Sequence, residues 1–483
     1  MKKLMSLLIM IMATIVGLAG CSDKSSGESK NSDGSVTLSI AMKDEGPSNP
    51  NAVSFFEQLS KNIKKDEGIK VKFELVELPQ GSYSEKLNLK LSSGDIPDLI
   101  YFQGGDLPFQ QQGLMEDLTP YIEKSRYIKN IMEPHNKERM KNYPYLLWIK
   151  PLSPSVPVIR KELLTQLKSS KALMENPSVE NYYEFFKELK QSGKANLAYA
   201  ITTSGTISEL DFIFDEAFGN TSTWLEEDGK YVYKRVSNNE KNKLAFYHKL
   251  YKEGLLDPEY ATKKWDTKEK AFYDGKAGVI VGTAGKVIDI YDGKMKKVQS
   301  EKAALELLPP AKGVSQGFGA TDVTKEPRGM AISSQSKNKE IAFKVLDYLG
   351  SPNGQKLDRL GIKDTHYKQV EEQIELTSQS QEWYARFWEP TKTELTEELK
   401  TPLLGPAAQK SLDYAFKYYE EDKNFILPAE YTPMWDTTEN LYKEFAVDII
   451  TGKRSINEFD VFVKQWYKNG GEEITTYANK ELK

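Results

Sequence analysis

The pattern of apolar and polar side chains predicts alternating strands and helices from residue 36 onward. Val36 to Ala41 alternates apolar with polar residues, and Val71 to Leu75 does the same, so both segments are predicted to be strands. Between them, apolar side chains recur at helical spacing over residues 52–63. This part of the chain is therefore predicted to fold as strand, helix, strand.

A second helix and a third strand follow. Ser82 and Glu85, three positions apart, match a capping box, and Gly94 supplies a helix end. Residues 98–102 form a third apolar strand. Because strands and helices alternate, we predict a largely parallel sheet with helices on its faces, which is an α/β fold.

Polar residues near the predicted strand ends are the first candidates for a binding site. In parallel sheets, ligands bind beyond the carboxyl ends of the strands, and Gln103 and Asp106 come after the third strand. A plain glycine-rich turn around these residues is the alternative. Further candidates follow strand-like stretches or lie in the loop 317–322: Thr203, Ser204, Thr283 and Asp322.

The amino-terminal segment predicts export. Lys2 and Lys3 precede an apolar run over residues 4–19, which is typical of a secretory signal. Cys21, the only cysteine, ends the string L-A-G-C, which resembles the bacterial lipobox. The resemblance implies that Cys21 is lipidated and becomes the new amino terminus. A transmembrane anchor is the alternative, but it needs about 20 apolar residues, and this run is shorter and holds polar ones.

The stretch after Cys21 is polar. Residues 22–35 contain no apolar side chain and cannot bury enough surface to fold, so we predict a signal over 1–20 and a flexible tether over 21–35. This polar stretch also argues against a buried structural role for Cys21. The folded part would then lie at the extracellular face of a bacterial cell membrane, held by its lipid.

Composition and charge narrow the classes of function. The 483 residues allow two domains or more, and no dense basic stretch indicates a nucleic-acid partner. The net charge is −4, and it becomes −6 when Lys2 and Lys3 leave with the signal. With its one cysteine lipidated, the protein has no disulfide, so core packing must supply its stability.

Motifs of catalysis and metal binding are absent from the sequence. It has no H-E-x-x-H, C-x-x-C or phosphate-loop string, and its three histidines are far apart, so we predict no metal and no cofactor. Residues 313–317 match the G-x-S-x-G of hydrolases, with His366 downstream. That motif needs a strand before it and a helix after it, whereas the flanking prolines and glycines predict a loop. Paired carboxylates of a glycosidase stay open, because acidic residues are abundant.

A site that binds a small molecule without covalent chemistry requires a cleft, flat apolar surfaces and a few fixed polar groups. Trp435 is the foremost aromatic candidate, because Pro433 and polar neighbours argue against a core helix there, and Trp224 in a polar stretch is next. Burial in the core is the alternative for each tryptophan candidate, since tryptophan is highly buried on average. The tryptophans outside clear amphipathic stripes are Trp148, Trp224, Trp265, Trp383, Trp388 and Trp435.

Short strings along the whole chain occur in the order seen in one known family. The string L-S-S-G-D-I-P-D-L-I at 91–100 resembles the SGDxPDL stretch of the extracellular solute-binding lipoproteins of carbohydrate ABC transporters. The order and coverage of the strings carry the resemblance more than any one of them does. Further similar strings lie at 113–121, 158–164, 177–180, 254–259, 272–278, 364–367 and 459–474.

The resemblance implies a periplasmic-binding-protein-like fold, with two α/β lobes joined by a hinge as in maltose-binding-protein-like architecture. Residues 36–155 with about 320–400 would form the first lobe, and 156–319 with about 401–483 the second. A monomer without enzymatic activity would capture an oligosaccharide between the lobes and deliver it to the permease subunits of an ABC transporter. Many relatives carry a calcium loop where this chain has residues 190–196, which lack the oxygen ligands that calcium requires. We therefore expect no calcium at that position.

Two other classes of function stay open. A surface glycoside hydrolase would release products from an oligosaccharide, whereas a binding protein would leave it intact. A lipid-anchored adhesin or chaperone would not bind a soluble sugar tightly with one-to-one stoichiometry.

Overall fold

The computed structural model describes residues 30–78, 82–152, 154–192, 197–205, 207–383, 387–388, 399–400 and 402–483. Cys21, the predicted signal and most of the predicted tether lie outside these residues. Among the described helices, none is both long enough and apolar enough to cross a membrane.

The strands are given in chain order. They are β1 (Val36–Ala41), β2 (Val71–Leu75), β3 (Leu99–Gln103), β4 (Ser155–Arg160), β5 (Tyr199–Ile201), β6 (Trp224–Glu227), β7 (Lys230–Tyr233), β8 (Ala277–Thr283), β9 (Leu305–Leu307), β10 (Arg328–Ile332), β11 (Tyr367–Val370) and β12 (Gln373–Leu376).

The helices alternate with these strands in the first half of the chain and dominate its last part. They are α1 (Pro50–Glu67), α2 (Tyr83–Ser92), α3 (Leu107–Gln111), α4 (Thr119–Lys124), α5 (Ile128–Ile131), α6 (Pro134–Asn142), α7 (Lys161–Gln166), α8 (Ser169–Glu175), α9 (Val179–Gln191), α10 (Ser208–Phe218), α11 (Asn238–Lys252), α12 (Trp265–Tyr273), α13 (Lys286–Val298), α14 (Lys339–Leu349), α15 (Pro352–Leu360), α16 (Pro406–Lys417), α17 (Thr432–Thr451), α18 (Phe459–Trp466) and α19 (Glu472–Glu481).

The first sheet has the order β10-β3-β1-β2. β1 runs parallel to both β2 and β3, as the alternating pattern predicts, while β10 pairs antiparallel with β3. The carboxyl ends of β1 and β3 therefore lie at the same edge of the sheet, and β10 begins at that edge.

Local capping explains where several helices begin. The Asn49 side chain accepts hydrogen bonds from the backbone N–H groups of Asn51 and Ala52. It therefore caps α1, which begins at Pro50. The box predicted at Ser82 is wrong, because Ser82 precedes α2 but its side chain makes no capping hydrogen bond. A box does form between Ser455 and Glu458, at a short turn that leads into α18.

The second sheet is mixed and has the order β5-β8-β4-β9. β4 pairs antiparallel with β8 and β9, whereas β5 is parallel to β8 at the edge. The two remaining strand pairs, β6 with β7 and β11 with β12, are antiparallel hairpins.

Buried apolar side chains gather around each sheet separately. Around the first sheet they come from residues 36–149 and 330–388, and around the second from 156–318 and 407–478. The chain thus forms two α/β lobes, and it crosses between them more than once. The lobe boundaries given above stay a prediction.

A buried ion cluster joins α10 to α11 in the second lobe. The Lys243 ammonium, which is fully buried, lies 2.7 Å from Asp211 and 3.0 Å from Glu240, and it also pairs with Asp215. Burial opposes the ionisation of Asp215, yet the ammonium groups of Lys234 and Lys243 hold the pKa of this carboxyl below its ordinary value. The cluster therefore stabilises the lobe at neutral pH, and this stability is lost as the pH falls below about 4.

Replacing Lys243 by Met should lower the free energy of unfolding by about 3–5 kcal/mol, because the change leaves buried carboxylates without their counter-charge. Urea unfolding followed by circular dichroism measures the loss.

Lys241→Met is the matched control on the same helix. Lys241 pairs with Asp460 at 3.2 Å, but the pair is exposed. The expected cost is therefore at most about 1 kcal/mol. Equal losses in the two variants would contradict a structural role for the buried cluster.

Candidate functional site

Two cavities lie between the lobes, and together they are called the groove. Their linings come close to each other in the chain, because Gln103 and Gly105, like Pro327 and Arg328, are near neighbours that line different cavities. The aromatic section, of about 540 Å³, includes Asp106, Asn142, Tyr143 and Tyr145 of the first lobe and Trp224, Asn424, Phe425 and Trp435 of the second. The cationic section, of about 420 Å³, includes Gln103, Trp148, Lys150 and Arg328 of the first lobe and Trp265, Thr283 and Lys286 of the second.

Stacked rings of the second lobe form one wall of the aromatic section. Trp224 stacks on Phe425 with ring centroids 5.5 Å apart, and Tyr233 meets the Trp435 ring edge-on at 5.1 Å. Trp224 is the first residue of β6 and is buried, whereas Trp435 lies in the first turn of α17 and is half-buried. The expectation that Trp435 lies outside a core helix is wrong, because α17 packs its buried face into the core of the second lobe. The Trp435 ring nevertheless lines the groove from the first turn of this helix.

Polar groups complete this section. The indole N–H of Trp224 is buried and has no hydrogen-bond partner among the described residues. On the opposite wall, Asp106 accepts a hydrogen bond of 2.8 Å from the Tyr145 hydroxyl, and burial raises the pKa of the Asp106 carboxyl. Flat rings with a few fixed donors and acceptors match what a sugar presents, which is apolar C–H faces bordered by hydroxyls.

The cationic section lies at the sheet edge where β3 ends and β10 begins. Gln103 and Arg328 are directly opposite each other in the antiparallel register. The Trp148 ring lies beside them, with the Lys150 ammonium 4.8 Å and the Arg328 guanidinium 5.0 Å from its centroid. Across the groove, the second lobe contributes Thr283 at the end of β8 and the exposed ring of Trp265 at the start of α12.

The buried guanidinium of Arg139 fixes the backbone under both sections. It donates to the carbonyl of Leu146 at 2.8 Å, to that of Glu326 at 2.8 Å and to that of Arg328. Burial lowers the pKa of Arg139 to about 10, so the group stays charged at neutral pH. The segment that leaves the first lobe and the segment that returns to it are therefore tied together at this residue.

The family described as bacterial extracellular solute-binding protein matches residues 46–356, which is more than half of the chain. This protein belongs to that family. The match spans strands of both sheets and most of the residues that line the groove.

Relatives of this solute-binding protein include lipoprotein LipO of Bacillus subtilis, which is 22% identical over 96% of this chain and 95% of LipO. The fructooligosaccharide ABC transporter substrate-binding protein FusA of Streptococcus pneumoniae is also 22% identical, over 56% of this chain and 54% of FusA.

Solved structures confirm the predicted fold. The N-glycan transport solute-binding protein NgtS of Streptococcus pneumoniae superposes with a TM-score of 0.69 at 17% identity, over 92% of this chain and 99% of NgtS. The alginate-binding protein AlgQ2 gives 0.68 at 17% identity, over 92% of this chain and 97% of AlgQ2. The periplasmic-binding-protein-like architecture of two α/β lobes is therefore shared with them.

Two candidate tryptophans lie in the core of the first lobe instead of the groove. Trp383 is buried, donates its indole N–H to the Asp358 carbonyl at 2.8 Å and packs on Phe55. Trp388 is buried in the same cluster. Their polar, proline-punctuated surroundings in the sequence conceal this burial, because the apolar partners come from α1, far away in the chain.

Three polar candidates also line neither section. Thr203 is fully buried, and Ser204 donates to Glu209 through its backbone and its hydroxyl. Both follow β5, which is an edge strand, whereas the groove passes the end of the inner strand β8. Asp322 accepts from the Thr324 backbone at 2.8 Å and pairs with Lys325 at 2.6 Å, so it fixes its own turn in the crossing segment.

The G-x-S-x-G string does not form a nucleophile elbow. Ser315 lies on an irregular segment and its hydroxyl donates to the Glu216 carbonyl at 2.9 Å. His366 belongs to the first lobe, where its Nδ1 accepts from the Ile362 backbone and its ring packs on Trp383. Serine and histidine are therefore committed to separate structural contacts.

Within the described ranges, no group of three or more His, Cys, Asp or Glu side chains could hold a metal ion. The segment where relatives carry a calcium loop is described only up to residue 192, and residues 193–196 lie outside the described part. Lys190 donates to the Glu253 carbonyl there at 3.0 Å.

Sequence reasoning missed several residues that line the groove, among them Arg328, Lys150 and Phe425. Arg328 begins the strand 328–332, but it lies at the edge where the ligand is expected only because β10 is antiparallel to β3, which local sequence does not show. No local signal identifies Lys150 or Phe425, because each becomes a lining residue only when the two lobes come together.

Gly329 allows the close approach that forms the cationic section. Its φ is +146°, and a Cβ atom there would lie 2.7 Å from the Leu147 carbonyl and 3.1 Å from the Trp148 Cβ. Gly329→Ala should therefore lower the free energy of unfolding by more than about 2 kcal/mol, through overpacking and backbone strain, and weaken ligand binding. Urea unfolding and calorimetric titration measure the two effects.

Gly113→Ala is the control, because Gly113 also has a positive φ, of +70°, but has open space around it. It should show only the backbone cost of about 1–2 kcal/mol. Identical stability of the two variants would contradict the role of close packing at Gly329.

Proposed function

We propose that this solute-binding protein captures an oligosaccharide in the groove between its lobes and presents it to the permease subunits of an ABC transporter. In this proposal Cys21 carries the lipid that holds the protein at the extracellular face of the cell membrane. The protein acts as a monomer, performs no covalent chemistry and uses no cofactor.

The aromatic section is the observation that carries the proposal. The Trp224, Phe425 and Trp435 rings lie on the second lobe, while Asp106, Asn142 and Tyr145 face the same cavity from the first. A ligand that touches both walls binds the closed form better than the open one, and this difference in affinity closes the hinge. The volume of the aromatic section, about 540 Å³, falls within the range of about 300–1,000 Å³ typical of small-molecule sites.

The relatives support the transport role. FusA is named for fructooligosaccharide and NgtS for N-glycan transport. LipO, which aligns along nearly its whole length, is named as a lipoprotein. Incubating oligosaccharides with the protein and recovering them intact would separate this function from a surface hydrolase, and tight one-to-one binding would separate it from an adhesin.

Trp435→Ala should weaken oligosaccharide binding by at least about tenfold without unfolding the protein, because it removes a stacking surface at the edge of the groove. A glycan panel screened by intrinsic tryptophan fluorescence identifies a bound sugar, and calorimetry then gives the affinity of each variant.

Phe416→Ala is the matched control. Phe416 is 86% exposed and lines neither section of the groove, so binding should not change. An unchanged affinity of the Trp435 variant would place this ring outside the site.

Cys21→Ser should release the protein from the membrane, because the thiol that would carry the lipid is gone. When cells are fractionated and immunoblotted, the variant protein should be found in the culture medium and not in the membrane fraction. Ser22→Ala serves as the control and should stay with the membrane. Retention of the Cys21 variant in the membrane after removal of residues 1–20 would argue against lipid anchoring.

A further inference from the structure

The Trp148 ring gathers three cations in the cationic section. The ammonium of Lys150 lies 4.8 Å, the guanidinium of Arg328 5.0 Å and the guanidinium of Arg139 5.3 Å from the ring centroid. The π-face of an aromatic ring attracts such cations, which accounts for their positions. The ring carries no net charge, so it does not neutralise the three cations, which repel one another.

No carboxylate supplies the missing counter-charge. Among the described residues, none lies within 4.0 Å of the cationic groups of Lys150, Arg328 or Arg139. Arg139 is committed to three backbone carbonyls and is only 1% exposed, so it cannot reach a ligand. Lys150 and Arg328 are half-buried, line the groove and make no ion pair with any residue that the structure describes.

Two carboxylates also line this section, those of the exposed Asp44 and the buried Glu45, which has an interaction of its own. Neither lies within 4.0 Å of the cationic groups of Lys150 or Arg328. Lys286 is paired with Asp289 at 2.9 Å, while Lys43 adds a further positive charge at the rim. Two cations that face the cavity thus remain available to an anion.

We propose that the cationic section is an anion subsite, at which Arg328 and Lys150 hold the carboxylate or sulfate of an acidic saccharide. This inference rests on the proposed function and names the class of its ligand. A guanidinium binds a planar carboxylate through two parallel hydrogen bonds, and the ammonium adds a second charge-assisted contact.

The surroundings of the two cations fit the rest of such a sugar. Gln103 lies directly opposite Arg328 in the strand register, so its amide can bond the hydroxyls next to the acidic group. Thr283 offers a hydroxyl from the second lobe. The next sugar rings would lie beside Trp435 in the aromatic section, so one acidic oligosaccharide would extend along the groove.

The test compares uronic-acid oligosaccharides with the same molecules after their carboxyl groups are reduced to alcohols, by calorimetry on the folded chain. A second comparison uses sulfated oligosaccharides and their desulfated forms. The two comparisons distinguish a carboxylate from a sulfate as the source of the negative charge. We expect one acidic form to bind at least about tenfold more tightly than its neutral counterpart. Its affinity should also fall as the salt concentration rises, since screening weakens the attraction between charges.

Variants locate the effect. Arg328→Gln and Lys150→Gln should each reduce the affinity for the acidic sugar by at least about tenfold and reduce the affinity for its neutral counterpart much less. Lys368→Gln, at an exposed position on β11, makes the same change in net charge and should leave both affinities unchanged. Circular dichroism checks folding, and the salt titration of the unaltered chain does not depend on any variant.

The outcomes separate the two proposals. Neutral oligosaccharides that bind as tightly as acidic ones, with no loss in Arg328→Gln and Lys150→Gln, would overturn the anion subsite and leave oligosaccharide capture standing. Failure of every saccharide, acidic or neutral, to bind would overturn the proposed function and the subsite with it.

Discussion

The buried guanidinium of Arg139 is the interaction on which the groove depends. This guanidinium donates hydrogen bonds to the carbonyls of Leu146, Glu326 and Arg328. Leu146 lies before the chain first passes into the second lobe, and Glu326 and Arg328 lie where the chain returns to the first lobe. Asn142 and Tyr143 add hydrogen bonds of 2.9 and 2.8 Å to the carbonyls of Thr324 and Lys325. The two segments that connect the lobes are thus tied together at the first lobe. Hinge movement must therefore occur in the parts of these segments that lie nearer the second lobe.

The groove divides its chemistry between the lobes. Both lobes supply aromatic rings, but the first lobe also supplies the charged side chains Asp106, Arg328 and Lys150. A sugar held by either lobe alone would gain only part of the available contact. In the proposed function, a ligand that touches both lobes therefore favours the closed state.

Local pattern predicts β1, β2 and the existence of α1, because alternation and helical spacing report burial directly. The same logic places Gln103 and Asp106 at the carboxyl edge of the first sheet, where both line the groove. It fails for Trp383 and Trp388, whose partners in α1 are distant in sequence. It also misses Arg328, because the pairing of β10 with β3 is invisible to a local pattern.

The topology of the first sheet has a consequence for biosynthesis. β3 ends at Gln103, yet its neighbour β10 begins only at Arg328, after most of the second lobe has been synthesised. Until that strand emerges, β3 has an open edge able to pair with other chains. Contacts of such long sequence separation form slowly, so the first sheet is completed late, after β10 has been synthesised.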